Sequence, residues 1–249
     1  MSSYSNFALV YDSLMSDVDY SARTEYILKL FQKHGKKPTL LLDLACGTGN
    51  FSNLLALEGI EVIGIDMSEE MLSSAREKSV RMGTDVLFLC QKAEELDLYG
   101  TVDGAICCMD SVNHITDIEK LRVAFQKVSL FLEKDSLFIF DVNTPYKHKE
   151  ILGNNTFVIE QEDVYCVWQN EFCEKTLTTD IMLDFFVEEE NGSYSRFSED
   201  FSEKAYTKGQ LYEILQSCGF EILAVYGDMS MKNSSDTEER EFYVARKIR

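Results

Sequence analysis

The run Leu40-Leu41-Leu42-Asp43-Leu44-Ala45-Cys46-Gly47-Thr48-Gly49-Asn50 constrains this chain more than any other feature. Its apolar half suits a strand buried on both faces, and apolar positions resume after Asn50 at helical spacing. A strand that breaks at glycine and re-enters as a helix leaves the free amides of the first helical turn beside its own carboxyl end. Gly47 and Gly49 permit positive φ and close approach of a ligand, so a nucleotide-like group is indicated. Read as a dinucleotide turn, the string Gly47, Gly49, Ser52 lacks the third glycine that lets the helix pack closely around a pyrophosphate. A nicotinamide oxidoreductase therefore stands as a rival reading with that feature against it.

The pattern around this turn alternates. Residues 4–15 and 21–34 have helical spacing, the second with an apolar stripe of Tyr26, Ile27, Leu30 and Phe31. Strands are expected over 39–44, 61–66, 85–90, 102–107 and 136–141, with helices after Gly49, from Ser68 and over 117–131. Such βα alternation implies a parallel sheet with helices on both faces. After Asp141 the period drops to two, and Leu177, Thr179, Ile181, Leu183, Phe185 and Val187 would share one strand face, with Asn191-Gly192 as a hairpin turn. A helix from Thr207 and strands over 220–226 and 241–247 follow, the last two antiparallel because no crossover separates them. The organisation expected is a helical lid (1–36), an α/β core (37–145 and 205–249) and an antiparallel β insertion (146–204) that roofs the acceptor or forms a homodimer face.

Charge and cysteine content bound the partners. With 24 Lys and Arg against 43 Asp and Glu, the formal charge of −19 repels a phosphate backbone, so nucleic acid is not expected as a substrate. Seven cysteines without a CxxC pair, and no histidine at ligand spacing, predict free thiols in a reducing compartment and no metal. The first residues, MSSYSNFALVYD, have neither a basic start nor an apolar run of signal-peptide or membrane length, which predicts a cytoplasmic address.

Two acids flank the glycine turn. Asp66 closes the second strand, where a carboxylate can accept from ribose hydroxyls. Asp43 is costly to bury unless it serves a cation or several amides. His114, beyond the fourth strand, is the natural base, whereas His34 and His148 lie in polar sequence surroundings and suggest no role.

The segments DLACGTG, VIGIDMS with EEML behind it, and ICCMDSVNHI together resemble class I S-adenosylmethionine-dependent methyltransferases, above all glycine N-methyltransferase and the amino-sugar N-methyltransferases. The resemblance extends to VYDSLMSDVDY, the insertion and AYTKGQLYEIL. It implies a seven-stranded sheet of order 3-2-1-4-5-7-6 and S-adenosylmethionine as cofactor. Its methionine portion would lie on Ala45, Gly47, Thr48 and Gly49, near Asp43, Tyr11, Tyr20 and Cys108. Asp66 would hold the ribose and Met67 would pack on adenine. Lys92 falls where the family places a polar side chain near the adenine amino group. Since an ammonium cannot accept from an amine, the Ala93 amide or Glu94 would take over there. Tyr4 would stand close to the acceptor, with His114 as base and Asp110 orienting it or binding an acceptor ammonium. The implied reaction is methyl transfer to nitrogen or oxygen of a small molecule. The alternatives are a protein or RNA acceptor, or a non-catalytic module that binds the same cofactor.

Overall fold

The structure, a computed structural model, describes residues 4–161, 164–189 and 191–249, with the side chains of residues 4–7 and 9 outside that description. The expectation for the Tyr4 side chain therefore lies outside the described residues. In chain order come α1 (Tyr4–Leu14), α2 (Tyr20–His34), β1 (Leu40–Leu44), α3 (Asn50–Leu57), β2 (Glu61–Asp66), α4 (Glu69–Met82) and β3 (Val86–Cys90). They are followed by β4 (Val102–Cys107), α5 (Ile118–Phe131) and β5 (Leu132–Asn143). The insertion holds β6 (Thr156–Gln161), β7 (Val164–Cys173), β8 (Thr178–Glu188) and β9 (Tyr194–Lys204), and α6 (Lys208–Ser217), β10 (Phe220–Gly227) and β11 (Arg240–Lys247) complete the core. Among the described residues, no helix is long and apolar enough to cross a membrane.

The main sheet runs β10-β11-β5-β4-β1-β2-β3, the order expected from the resemblance, with β11 antiparallel to both its neighbours. Its two faces are covered separately. Leu41 and its neighbours pack under α2 and α3, while Leu42, Phe138, Phe140 and Tyr243 pack under α5 and α6. That two-sided burial explains why β1 reads as continuous apolar sequence rather than as alternation.

Local chemistry sets the helix ends. Ser68 accepts from the Met71 amide at 3.2 Å while Glu69 and Glu70 occupy the positive end of α4, which stops at Gly83 in the left-handed region. Thr207 and Gln210 form a reciprocal capping box on α6. Asp117 lies outside α5 as its cap rather than inside it.

Three expectations change. β5 starts four residues early, since the charged run Glu133–Asp135 continues the strand through a left-handed Asp135 (φ 64°). Leu177 sits in the turn before β8 with φ 55°, so the inward face begins at Thr179 and continues through Ile181, Leu183 and Phe185. A π-helical turn at Lys147–Leu152, invisible in the sequence pattern, buries His148.

The four-stranded antiparallel sheet β6-β7-β8-β9 presents Val164, Cys166, Ile181, Leu183 and Phe185 to Val10 of α1. Thus α1 has one face against the insertion, and its Asp12 is left to meet the glycine turn.

Candidate active site

The carboxyl ends of β1, β2, β4 and β5 meet where the helices begin, the crevice in which open α/β sheets bind ligands. The turn after β1 holds three left-handed residues, Ala45 (φ 57°), Gly47 (φ 55°) and Gly49 (φ 70°), and is tied by Cys46 N–H to the Ile65 carbonyl and Gly49 N–H to the Cys46 carbonyl, both at 2.9 Å. A narrow cleft opens over it, lined by Tyr11, Tyr20, Asp43, Ala45, Gly47, Thr48 and Cys108 among others. These were expected for the cofactor on sequence grounds. A larger, more open cleft beside Tyr212, Phe220 and Ile248 lies at the opposite edge of the sheet and contains none of them.

Asp43 is buried and accepts from the Ser52 hydroxyl at 2.5 Å. Burial, with Asp66 adding to it, pushes its carboxyl up to about 7. Asp66 accepts from the Gly47 amide at 2.8 Å and the Ser68 amide at 2.9 Å, bonds that oppose the upward pull of burial. An ionised carboxylate has about four acceptor sites, so these two bonds leave capacity for a diol. Met67, next along the chain, is two-thirds exposed, an apolar face at the mouth of the crevice. Lys92 instead turns outward, 3.3 Å from Glu95, while Ala93 opens a 3-10 turn and Glu94 pairs with Lys120 at 3.5 Å.

Helix α1 is fastened to the turn by a residue that sequence reasoning missed. Asp12 accepts from the Thr48 hydroxyl at 2.7 Å and the Asn50 amide at 3.1 Å and pairs with Lys78 at 2.8 Å. These donors hold its carboxyl below the usual range although burial opposes them. Tyr11, beside it, is pushed well above the usual phenol range by burial first and by Tyr20 and Asp110 next, and therefore stays neutral.

The opposite wall is built from the loop after β4. Met109 (φ 57°) and Asp110 (φ 52°) are both left-handed, and their amides donate to Asp141 at 2.9 and 2.7 Å. Arg240, from the start of β11, bridges Asp141 and Asp110, the latter at 2.5 Å. Burial disfavours the Asp110 anion, but Arg240, Lys147 and His114 outweigh it and hold the carboxyl at about 2. Asn113 clamps this loop to two strands, exchanging bonds with the backbone of Asn143 and Lys204 at 2.8–3.0 Å.

His114, half exposed, follows that clamp, with Nε2 3.6 Å from the buried Glu203. Atoms of Asp110, His114 and Glu203 lie within 4.8 Å of one another. Burial, reinforced by Asp110, raises Glu203 to about 7. His148, read from sequence as a polar-surface residue, is instead fully buried behind Glu203, and burial drops it to about 4.

Asp12, Arg240, Glu203, Asn113 and His148 escaped sequence reasoning, while two polar side chains near the same strands take no part in the site. The Tyr206 hydroxyl donates to the Ile115 carbonyl inside the core, and Arg196 pairs with Asp184 on the outer face of the insertion. Glu203 did leave a signal: Phe197, Glu199, Phe201 and Glu203 alternate on the inward face of β9, and a carboxylate on an apolar face is the informative exception.

Residues 41–135 match the methyltransferase domain family. The chain is 35% identical over 246 residues to YqeM of Bacillus subtilis (strain 168), which carries a methyltransferase name, covering 98% of this chain and 97% of that one. It is 25% identical to a glycine/sarcosine N-methyltransferase of Aphanothece halophytica over 91% of this chain and 82% of that one. A crystal structure of an S-adenosylmethionine-dependent methyltransferase from Clostridium acetobutylicum ATCC 824 superimposes with a TM-score of 0.89 at 32% identity over the whole of both chains.

Proposed function

Because this chain belongs to the class I S-adenosylmethionine-dependent methyltransferases, we propose that it methylates a nitrogen or oxygen of a small molecule, with an amine nitrogen favoured. One observation carries the preference for an amine: the acceptor wall is made of hydrogen-bond acceptors whose nearby donors are already used. Arg240 is spent on Asp110 and Asp141, and Lys147 donates to Asn143 at 2.9 Å, whereas Asp110 and His114 keep lone pairs for a ligand that brings N–H groups.

The residues around the glycine turn fit the cofactor. A Cβ on Gly47 would meet nothing within 4 Å, so the turn is open on the ligand side. Asp43 and the neutral phenols of Tyr11 and Tyr20 suit a cationic ligand, and Asp66 suits a ribose. When bound, S-adenosylmethionine supplies an electrophilic methyl group. The protein's task is then mostly positional: Gly47, Thr48 and Asp66 fix one reactant, the wall of Asp110 and His114 fixes the other, and α1 excludes water. His114 takes the proton that the acceptor must lose, an imidazole being suited to this near neutral pH.

Two measurements test this reading. Asp66→Ala is expected to weaken S-adenosylmethionine binding by roughly 10- to 100-fold in calorimetry, the worth of about 1.5–3 kcal/mol for bonds to a charged group. An unchanged affinity would remove the ribose role. Transfer of a labelled methyl group into fractionated cell extract should appear among small amines, and label confined to protein or RNA would overturn the acceptor class. The charge of −19 already opposes RNA.

A further inference from the structure

Resting on the reading of His114 as the acceptor-side base, we infer that Glu203, carried in by the inserted sheet, is its positioning residue. It holds the imidazole with Nε2–H toward the carboxylate and leaves Nδ1 to receive the acceptor's proton.

Two contacts from β9 constrain the ring. Glu203 Oε1 lies 3.6 Å from Nε2, and Phe201, two residues earlier on the same strand face, packs on the imidazole with centroids 5.0 Å apart. The first sets which edge of the ring turns inward and the second sets its plane. β9 cannot drift from the loop that carries His114, because the Asn113 carbonyl accepts from the Lys204 amide at 2.8 Å and the Asn113 side chain returns a bond to the Lys204 carbonyl, also at 2.8 Å. A separation of 3.6 Å is ion-pair spacing slightly beyond a hydrogen bond, and such contacts tighten when the reacting complex forms.

Glu203 is 5% exposed, and its other oxygen faces Asn143 Nδ2 at 3.4 Å and His148 Nε2 at 3.6 Å. His148 is fully buried. Its Nδ1 bonds the Thr179 hydroxyl at 2.8 Å, but Nε2 has no hydrogen-bond partner among the described residues. A buried nitrogen left that way is costly. Its nearest polar neighbour is the second oxygen of Glu203, so His148 and Asn143 line the side of the carboxylate away from His114.

The step balances. The acceptor's lone pair bonds the methyl carbon, and the pair of the broken carbon–sulfur bond stays on sulfur. The acceptor's proton goes to His114 Nδ1, and the imidazolium so formed keeps its Nε2–H toward the Glu203 carboxylate. The titratable and charged groups facing the pair are Asp66 and Asp110 beside His114, Lys147, Asp110 and His148 beside Glu203, Arg240 behind Asp110, and Glu239 near Lys147. Asp110, His114 and Glu203 are also close enough to share a divalent cation. Arg240 on Asp110 at 2.5 Å and Lys147 among the same groups already supply the positive charge there, which favours proton handling.

The test needs no acceptor. The chain has three histidines, so ring-carbon NMR of protein labelled with 13C-histidine resolves each titration. In Glu203→Gln the loss of a neighbouring anion disfavours the imidazolium, and the His114 midpoint is expected about one pH unit lower, with His34 unmoved and S-adenosylmethionine affinity within about twofold of wild type. Glu203→Asp, which keeps the charge one methylene back, should shift the midpoint the same way by less, and serves if the glutamine variant does not fold. A midpoint unchanged in a folded variant overturns the proposal. One equivalent of MnCl2 should leave the His114 signal sharp, and broadening that Glu203→Gln abolishes would make the cluster a cation site and overturn it as well. Failure of the underlying reading looks different: His114→Gln would retain full methyl transfer while the NMR shift persists.

Discussion

Replacing Arg240 with methionine is expected to destabilise the protein by about 3–5 kcal/mol, lowering the melting temperature by roughly 6–20 °C. Arg240 is 8% exposed, and its guanidinium bridges Asp141 and Asp110. Methionine fills the volume of the side-chain stem, so the loss comes from two carboxylates left without their cation rather than from a cavity. Asp141 cannot escape, because its oxygens also accept the Met109 and Asp110 amides that hold those residues in the left-handed region. The sign with pH distinguishes this account from simple loss of packing. In the wild type Asp110 has its carboxyl lowered to about 2, so its stabilising share is full above the unfolded range near 4 and fades as pH falls through 2. In the variant that carboxyl is buried without its cation and its folded value rises above the unfolded one. Its contribution is then present at low pH and lost as pH climbs from about 4 upward. Denaturant titrations at pH 5 and pH 8 should therefore show the gap to wild type shrinking at pH 5. A gap that stays constant would mean the ion pairs contribute little.

The frame was legible because its signals are local. An apolar strand before a glycine turn, a serine with two acids behind it and an Asn-Gly hairpin each dictate backbone through residues within a turn of one another. Asp43, Ala45, Gly47 and Thr48, expected to hold the cofactor, line one cleft for the same reason: they lie on one strand and the turn that follows it. On the other side of the crevice the sequence offered Asp110 and His114 but not the groups that hold them. Asp110, His114, Glu203 and Arg240 come from three elements up to 130 positions apart, and their meeting depends on how β9 and β11 return to the core. His148 shows the limit most clearly. Flanked by Lys147 and Lys149 it reads as surface, yet a single π-helical turn points it inward onto Thr179. Asp12 fails differently: an acid on an amphipathic helix reads as solvated, and only the approach of the glycine turn and of α4 gives it three partners.

Gly49→Ala is expected to cost about 2–5 kcal/mol and to abolish measurable S-adenosylmethionine binding, and its contrast with Gly47→Ala isolates why. Both glycines are left-handed, so alanine at either position carries a backbone penalty of about 1–2 kcal/mol. At Gly47 an added Cβ has open space, so the chain should keep most of its stability while the methyl group stands where the cofactor approaches. At Gly49 the Cβ would lie 2.9 Å from Ala75 Cβ, 3.0 Å from Phe88 Cζ and 3.2 Å from Asn53 Nδ2. None of these has room to retreat. Ala75 is buried where α4 crosses the turn, and Asn53 bonds the Gly49 carbonyl at 2.8 Å while accepting from Ser79 and Thr84, which ties α3 to α4. Overpacking therefore adds about 1–3 kcal/mol and pries at the joint that shapes the turn. Urea unfolding alongside calorimetry should find Gly47→Ala folded but weak in binding and Gly49→Ala impaired in both. A Gly49→Ala protein within 1 kcal/mol of wild type would show that α4 yields, and that the turn owes its shape to the strand alone.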